Sequence, residues 1–450
     1  MDNSDNTGIP KLRYLKTALK DVMDKVVVVG LGKSGIAAAE ILSARGDTVF
    51  ISELKDSDAV RADVKALIKK GIVSEGNIEL GAHSEKIIAG AKSMVISPGV
   101  RQDSLPVRMA ERLSIPVIGE MELAYSMCPA PIIAITGTSG KTTVTTLIGN
   151  MLKKAGRHAV VCGNIGNPLS GELKKIRKDS IVVLEVSSFQ LERIKDFKPR
   201  VSVVLNVSEN HLDRHSGMEE YVSLKSRIFL NQDKDGVVFL NGNDRILKKL
   251  SGDIKNTKVE FFNEYKDFKK RLGIKNENYL AAMSVVSTEL VSEDVMLEAL
   301  SGFKGIPHRL EHVGVVDGVD FYNDSKATTV SSVEWALKSL EGRIALIMGG
   351  KYKGGDFGSL RRLIDEKVSC VIVMGKAGGR IKKDLTGFPA LIEAETLEGA
   401  LQEAFKKTAA GGKVLLSPGC SSFDIFESYK ERGELFKKYV KELASGFTLS

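Results

Sequence analysis

GTSGKTT, residues 137–143, follows an apolar run at residues 132–135 and precedes a segment with apolar residues at helical spacing. A glycine-rich turn between a strand and a helix can wrap phosphate oxygens with backbone N–H groups. Lys141 would then neutralise the outer phosphates, and the Thr142 hydroxyl would ligate Mg²⁺. Ile135 occupies the first glycine position of the strict pattern. The stretch predicts a phosphate site in an α/β fold, with a fortuitous glycine-rich turn as the alternative.

Short apolar runs rich in β-branched residues recur along the chain at the spacing of strands that alternate with helices. They lie at residues 26–29, 49–51, 94–96, 132–135, 181–184, 201–205, 344–348, 371–374 and 414–416. Continuously apolar runs of this length suit parallel strands that helices cover on both faces. The sequence therefore predicts an α/β protein built on parallel sheets.

The length of the chain, 450 residues, predicts about three domains, because one hydrophobic core stops growing well before this size. A proline-containing break at residues 128–131 and a second break at residues 302–307 divide the series of strands. We therefore predict domains at residues 1–128, 129–304 and 305–450. Residues 1–24 form an extension to which the sequence assigns no role.

Composition narrows the class of protein. Hydrophobic residues make up 43% and charged residues 27% of the chain, which excludes disordered, collagen-like and coiled-coil proteins. No apolar run approaches the roughly 18 residues that cross a bilayer, and no secretion signal stands at the N-terminus, so we expect a cytoplasmic protein without membrane insertion. The net charge of +8, without a Lys/Arg block, fits anionic small molecules at least as well as nucleic acid.

The cysteines are too far apart to form a metal or disulfide framework, and we expect reduced, buried thiols. They are Cys128, Cys162, Cys370 and Cys420.

A second glycine-rich turn, GLGKSG at residues 30–35, follows the first apolar run, and Glu53 ends the next one. This is the fingerprint of a Rossmann-type NAD site. Its physical content is a tight turn that brings a helix N-terminus close to a pyrophosphate, which any nucleoside diphosphate satisfies. The motif alone leaves NAD, another diphosphate and simple packing glycines open.

Two further residues lie at the carboxyl edge of the sheet that carries the phosphate loop. Glu185 ends the run at residues 181–184, and His211 follows the run at residues 201–205. Ligands of open α/β sheets collect at this edge, which makes the Glu185 carboxylate a candidate Mg²⁺ ligand. Histidine is less usual for Mg²⁺, so His211 is equally a candidate hydrogen-bonding residue.

Lys225 is unusual because its neighbours at helical spacing are apolar, which places it on a buried stripe. One interpretation is a lysine that extends its amine to solvent. The other is a neutral buried amine that takes up CO₂ and becomes a carbamate, an anionic metal ligand.

Eight motifs follow one another in an order that resembles the Mur ligase family. They are ITGTSGKTT (135–143), GNIGNP (163–168), LEVSSFQL (184–191), NVSENHLDRH (206–215), KSRIF (225–229), PHRLE (307–311), NDSKATT (323–329) and SPGCSSFD (417–424). The resemblance covers residues 26–438. The loop at residues 323–328 is similar to that of the members that add D-glutamate.

The resemblance implies a fold and a reaction. The fold would comprise a Rossmann-like N-terminal domain that binds a UDP-linked substrate, a central phosphate-loop ATPase domain and a Rossmann-like C-terminal domain that binds the amino acid. The reaction would join D-glutamate to UDP-N-acetylmuramoyl-L-alanine at the expense of ATP, through an acyl phosphate, with two Mg²⁺ ions and no nucleic-acid partner.

The resemblance also implies roles for individual residues. The UDP-substrate contacts would be Ser34, Ser52, Gly99 and Asn164. The ATP contacts would be Gly137, Thr138, Ser139, Gly140, Lys141, Thr142, Thr143, Asn278, Arg309 and Asp324. The D-glutamate contacts would be Thr328, Lys353, Ser422 and Tyr429. The metal ligands would be Thr142, Glu185, His211 and carbamylated Lys225. The catalytic residues would be Lys141, His211 and Lys225.

Alternatives remain at this point. They are a Mur-type or folylpolyglutamate-type ligase for a different amino acid, an NAD-dependent oxidoreductase that uses residues 30–35, and a nucleotide-binding switch that uses residues 137–143.

Overall fold

The computed structural model describes residues 24–207, 217–303, 305–352 and 354–445. Residues 1–23 of the N-terminal extension, His211 and Lys353 lie outside the described residues. The chain divides into two compact units, residues 1–303 and 304–450. Two sheets lie in the first unit and one in the second. The α/β architecture predicted from the sequence is confirmed.

The N-terminal sheet has five parallel strands in the order β3-β2-β1-β4-β5. The strands are β1 (Lys25–Val29), β2 (Thr48–Glu53), β3 (Ile78–Leu80), β4 (Ser93–Ile96) and β5 (Val117–Gly119). The helices are α1 (Lys33–Arg45), α2 (Asp58–Lys69), α3 (Glu85–Ile88), α4 (Leu105–Arg112) and α5 (Glu120–Met127).

The central sheet has six parallel strands in the order β11-β10-β9-β6-β8-β7. The strands are β6 (Ile132–Thr136), β7 (Ala159–Gly163), β8 (Ile181–Glu185), β9 (Val201–Val204), β10 (Val237–Leu240) and β11 (Lys258–Phe261). The helices are α6 (Lys141–Lys154), α7 (Leu169–Glu172), α8 (Ser188–Leu191), α9 (Met218–Ser226), α10 (Arg245–Ser251), α11 (Phe268–Arg271), α12 (Glu277–Ser287) and α13 (Glu293–Ser301).

The C-terminal sheet has six strands in the order β12-β13-β17-β14-β15-β16, and only the β12–β13 pair is antiparallel. The strands are β12 (Glu311–Val316), β13 (Val319–Asn323), β14 (Ile344–Gly349), β15 (Val368–Met374), β16 (Leu391–Glu393) and β17 (Lys413–Leu416). The helices are α14 (Val330–Ser339), α15 (Arg361–Lys367), α16 (Gly378–Asp384), α17 (Leu397–Lys406) and α18 (Tyr429–Ala444).

Two carboxylates on α5 accept hydrogen bonds from a loop and from helix α7, both of which belong to the central sheet's part of the chain. Glu122 accepts the backbone N–H groups of residues 195, 196 and 197 at 3.0, 2.7 and 3.2 Å. Glu120 accepts the backbone N–H of Ser170 at 3.0 Å. These bonds help to hold both sheets in one compact unit, and the predicted boundary at residue 128 stays a prediction.

The thiols are free, and three of the four are buried as predicted. Cys128 differs, because it lies half-buried at the end of α5. None of the described helices combines the length and apolar character needed to cross a membrane.

The turn between β1 and α1 depends on Gly35. A Cβ atom at this position would overlap the carbonyl oxygen of Gly30, whereas a Cβ at Gly32 would meet no atom within 4 Å. The helix can therefore approach the strand this closely only because residue 35 lacks a side chain.

We predict that Gly35→Ala lowers the free energy of unfolding by about 1–3 kcal/mol, because the added methyl group must push α1 away from β1. Thermal unfolding measures this as a lower Tm. Gly32→Ala is the matched control in the same turn and should leave Tm within about 1–2 °C, given that Gly32 has ordinary N-cap geometry. Equal Tm values for both variants would contradict the packing argument.

Candidate functional site

The phosphate-loop sequence forms the turn between β6 and α6, as predicted. Gly137 and Gly140 both have positive φ, +151° and +80°. A Cβ at Gly137 would lie 3.0 Å from the Cβ of Leu205, and a Cβ at Gly140 would overlap Oδ1 of Asn278. Asn278, predicted as a nucleotide contact, therefore lies directly against the loop.

Asn206 supports the same loop from the end of β9. Its Oδ1 accepts the backbone N–H groups of Thr138 and Ser139 at 3.1 and 2.9 Å, and its Nδ2 donates to Ser139 O at 3.3 Å. The sequence analysis did not assign Asn206, although it begins the quoted motif NVSENHLDRH. Its side chain fixes the first half of the turn and so sets where a phosphate could bind.

Two lysine amines meet at the loop. Lys141 Nζ donates to the carbonyl oxygens of Gly137 and Thr138 at 2.8 and 3.0 Å. Lys225 Nζ, on α9, donates to Gly137 O at 3.0 Å and lies 4.4 Å from the centroid of the Tyr221 ring. The structure therefore brings together two predicted catalytic residues that are 84 positions apart in the sequence.

Lys225 is only 2% exposed, so its amine does not reach solvent as the first interpretation of this residue required. Burial, assisted by the charge of Lys141, lowers the pKa of Lys225 to about 6. The amine is mostly neutral at pH 7. A neutral buried amine is the form that can react with CO₂.

Glu185 ends β8 at the edge where ligands of an open sheet collect. Its Oε1 accepts a hydrogen bond from Asn164 Nδ2 at 2.7 Å, whereas its buried Oε2 has no hydrogen-bond partner among the described residues. An unpaired buried carboxylate oxygen is costly, and a cation would satisfy it. Within the described ranges, no three His, Cys, Asp or Glu side chains come together as a metal cluster.

The second glycine-rich turn is held by side chains from neighbouring strands. Glu53 Oε2 accepts the backbone N–H of Leu31 at 2.6 Å, and Ser97 Oγ donates to Gly30 O at 2.7 Å. Ser52, predicted as a substrate contact, has its Oγ 2.7 Å from Nδ1 of His83. Two other predicted substrate contacts lie near this sheet. Ser34 is in the first turn of α1, and Gly99 is in the loop after β4.

In the C-terminal unit, Asp324 follows β13 and is buried. Its carboxylate accepts the backbone N–H of Leu310 at 3.1 Å and the hydroxyl of Ser417 at 2.9 Å. Burial raises the pKa of Asp324 to about 7, against the effect of these hydrogen bonds and of Arg309. The structure thus brings the predicted nucleotide contacts Arg309 and Asp324 into neighbouring loops.

Arg432 on α18 joins two loops that carry predicted amino-acid contacts. It is 1% exposed, its Nε donates to Ser325 Oγ at 2.9 Å, and its Nη2 donates to the carbonyl oxygens of Ser325 and Cys420 at 2.8 and 3.3 Å. Thr328 lies in the first loop and Ser422 in the second. Ser325 Oγ also donates to the carbonyl oxygen of Tyr429 at 2.8 Å, so the start of α18 joins the same arrangement.

Three family models of one family match most of the chain. The models match as Mur ligase MurD-like N-terminal domain over residues 24–119, Mur ligase middle domain over residues 135–296 and Mur ligase glutamate ligase domain over residues 308–420. The order of these three matches is the order that the sequence motifs implied.

Curated relatives are similar over nearly their full length. UDP-N-acetylmuramoylalanine–D-glutamate ligase of Koribacter versatilis is 38% identical over 93% of this chain and 98% of its own. The protein of the same name from Geotalea uraniireducens is 40% identical, with 94% and 98% covered.

Solved structures show the same fold at low identity. Thermotoga maritima MurF ligase in complex with ADP has a TM-score of 0.57 at 17% identity, with 94% of this chain and 96% of that chain covered. UDP-N-acetylmuramate–alanine ligase of the same organism has a TM-score of 0.56 at 17% identity, with 93% and 99% covered.

The raised pKa of Asp324 predicts a pH dependence of stability. The pKa of this carboxyl is 3.8 in the unfolded chain and about 7 in the folded chain, so its contribution to the free energy of unfolding falls as the pH rises between these values. Asp324→Asn should remove that fall and stabilise the protein by at least about 1 kcal/mol at pH 8, since one pKa unit corresponds to about 1.4 kcal/mol.

Tm measured from pH 4 to pH 8 tests this expectation. Asp365→Asn, at an exposed aspartate of the same unit, is the control and should keep the wild-type dependence on pH. If the Tm of Asp324→Asn runs parallel to that of the wild type over this range, the carboxyl is not protonated by burial.

Proposed function

Because the chain belongs to the Mur ligase family, we propose that it is an ADP-forming ligase that joins D-glutamate to UDP-N-acetylmuramoyl-L-alanine in peptidoglycan precursor synthesis. The observation that carries this proposal is the set of relatives named for that activity, which are 37–40% identical over 92–95% of this chain. We place the reaction in the cytoplasm, as expected for this family.

The reaction needs two bond exchanges. The carboxylate of the UDP-linked substrate attacks the γ-phosphorus of ATP, which breaks the bond to the β-γ bridging oxygen and gives an acyl phosphate and ADP. The amine of D-glutamate then attacks the acyl carbon, loses a proton and expels phosphate, leaving an amide. Catalysis of phosphoryl transfer depends on positioning and charge neutralisation.

Lys141 is the residue we assign to that neutralisation. Its amine now donates to carbonyl oxygens at the entrance of the loop, 2.8 and 3.0 Å away. We propose that the amine exchanges these acceptors for phosphate oxygens of ATP, while residues 137–143 wrap the phosphates. Asn278, against Gly140, is a further proposed nucleotide contact. In the second unit, Arg309 and Asp324 are the residues we propose to bind nucleotide.

The residues at the carboxyl edge fit Mg²⁺, because Glu185 has a buried carboxylate oxygen there that pairs with none of the described residues. We propose Thr142, Glu185, His211 and carbamylated Lys225 as ligands of the two ions expected for the family. When bound, Mg²⁺ would supply positive charge to the phosphate oxygens. Glu185 would contribute a carboxylate, Lys225 a carbamate, and Thr142, in the first turn of α6, a hydroxyl.

The remaining predicted contacts are proposed for the other two substrates. Ser34, Ser52, Gly99 and Asn164 would hold the UDP-linked substrate, and Thr328, Lys353, Ser422 and Tyr429 would hold D-glutamate. Asn164 also donates a hydrogen bond to Glu185, so it links a proposed contact of the UDP-linked substrate to a proposed metal ligand. Arg432 stabilises the two loops that carry Thr328 and Ser422 through its hydrogen bonds to their backbone.

We predict that phosphate release from ATP requires the UDP-linked substrate and D-glutamate together, and that no other amino acid replaces D-glutamate. Lys141→Ala should lower kcat by at least about 10³-fold with little change in Tm, because this amine acts on charge in transfer. Lys154→Ala, at the far end of the same helix, is the matched control and should keep wild-type kcat. ATP hydrolysis at full rate without the UDP-linked substrate would contradict the proposed nucleophile.

We predict that Lys225 carries a carbamate in the active enzyme. Lys225→Arg should be nearly inactive although it keeps a long basic side chain, because a guanidinium cannot become an anionic ligand. Wild-type enzyme stripped of CO₂ should lose activity and regain it with bicarbonate. A ¹³C-bicarbonate NMR spectrum should show a carbamate signal in the wild type that Lys225→Arg lacks; a variant with wild-type activity would refute the carbamate.

A further inference from the structure

Asn241 lies directly after β10 and is 4% exposed. Its Nδ2 donates to Leu205 O at 3.1 Å and to Glu277 Oε2 at 2.9 Å. Its Oδ1 accepts from Asn243 N at 2.9 Å and from Asn263 Nδ2 at 2.7 Å. Both amide hydrogens and both lone pairs are therefore used, which fixes the orientation of the side chain.

The two groups that accept from Asn241 precede the two supports of the phosphate loop. Leu205 precedes Asn206, whose amide accepts two N–H groups of the loop. Glu277 precedes Asn278, whose Oδ1 lies against Gly140. The buried amide of Asn241 therefore links the segment that carries Asn206 to the segment that carries Asn278. Asn241 itself lies on a third segment, after β10.

We propose that Asn241 is a positioning residue that sets the phosphate loop for nucleotide binding. The inference rests on the proposed function, since it takes the loop to be the ATP site. Asn241 contacts neither the loop nor, by this proposal, the nucleotide, and it acts through Asn206 and Asn278. Only an amide provides two donors on one side and two acceptors on the other.

Asn241→Asp tests the proposal because it keeps shape and both accepted bonds but replaces the donor by an oxygen. That oxygen would face the Leu205 carbonyl and the Glu277 carboxylate, and the repulsion should separate the supports. We expect the Kd for ADP, measured by calorimetry, and the KM for ATP to rise about tenfold or more, with the KM for D-glutamate within about twofold.

The double variant Asn241→Asp with Glu277→Gln restores one bond with reversed polarity, because the amide introduced at position 277 donates to the carboxylate introduced at position 241. It should recover most of the ADP affinity, which would assign the loss in Asn241→Asp to the bond between residues 241 and 277. Glu277→Ala removes the hydrogen bond between Asn241 and Glu277 by changing an exposed residue, so the variant should fold. It should raise the Kd for ADP about threefold or more.

Gln232 provides the matched control at the opposite edge of the same sheet. It is 3% exposed, and its Nε2 donates to the carbonyl oxygens of Pro199 and Arg200 at 3.0 and 3.2 Å. Gln232→Ala should lower Tm and leave ADP affinity unchanged.

The outcomes separate the two proposals. Wild-type ADP affinity in both Asn241→Asp and Glu277→Ala, or an equal loss in Gln232→Ala, would overturn the positioning role. If the wild-type protein binds ADP but shows no ligase turnover, the proposed function is overturned. The positioning role would then still be supported by the changes in ADP affinity among the variants.

Discussion

Two lysine amines converge on one acceptor, the carbonyl oxygen of Gly137, at 2.8 Å from Lys141 and 3.0 Å from Lys225. Two positive charges cannot be held so close in a buried place without a large electrostatic cost. The buried Lys225 amine is the one whose pKa falls, and Lys141 is the residue we assign to the phosphates. Burial is the larger cause of the lowered pKa of Lys225, and the nearby charge of Lys141 adds to it. The neutral amine that this favours is the form that can react with CO₂.

Much of the fold could be predicted from the sequence because buried parallel strands are apolar throughout. Each of the nine predicted runs falls on a strand, with only Leu205 beyond the end of β9. The missed strands include β3, β5 and β16, which are three residues long. The β12–β13 pair was missed because β12 is mostly exposed or half-buried and β13 alternates between buried and half-buried residues, which weakens the apolar signal.

The candidate site was harder to predict where its residues act at a distance in sequence. The loop at residues 137–143 and Lys225 have local signals, a glycine pattern and a charge among apolar neighbours. Asn206 and Asn241 have none, because their importance arises from hydrogen bonds to residues between 22 and 68 positions away. Arg432 has a local signal that is weaker than that of Lys225, because it lies at helical spacing among the buried residues of α18. Such residues emerge only once the sheet order has placed their partners.

The glycines of the phosphate loop also limit how the protein could escape an inhibitor. A side chain at Gly137 would press on Leu205, the residue directly after β9, and a side chain at Gly140 would collide with Asn278. Resistance usually needs a substitution that blocks a drug while preserving the enzyme, and neither position has room for one. A compound whose affinity comes from backbone N–H groups of this turn would thus bind where the genetic routes to resistance are fewest.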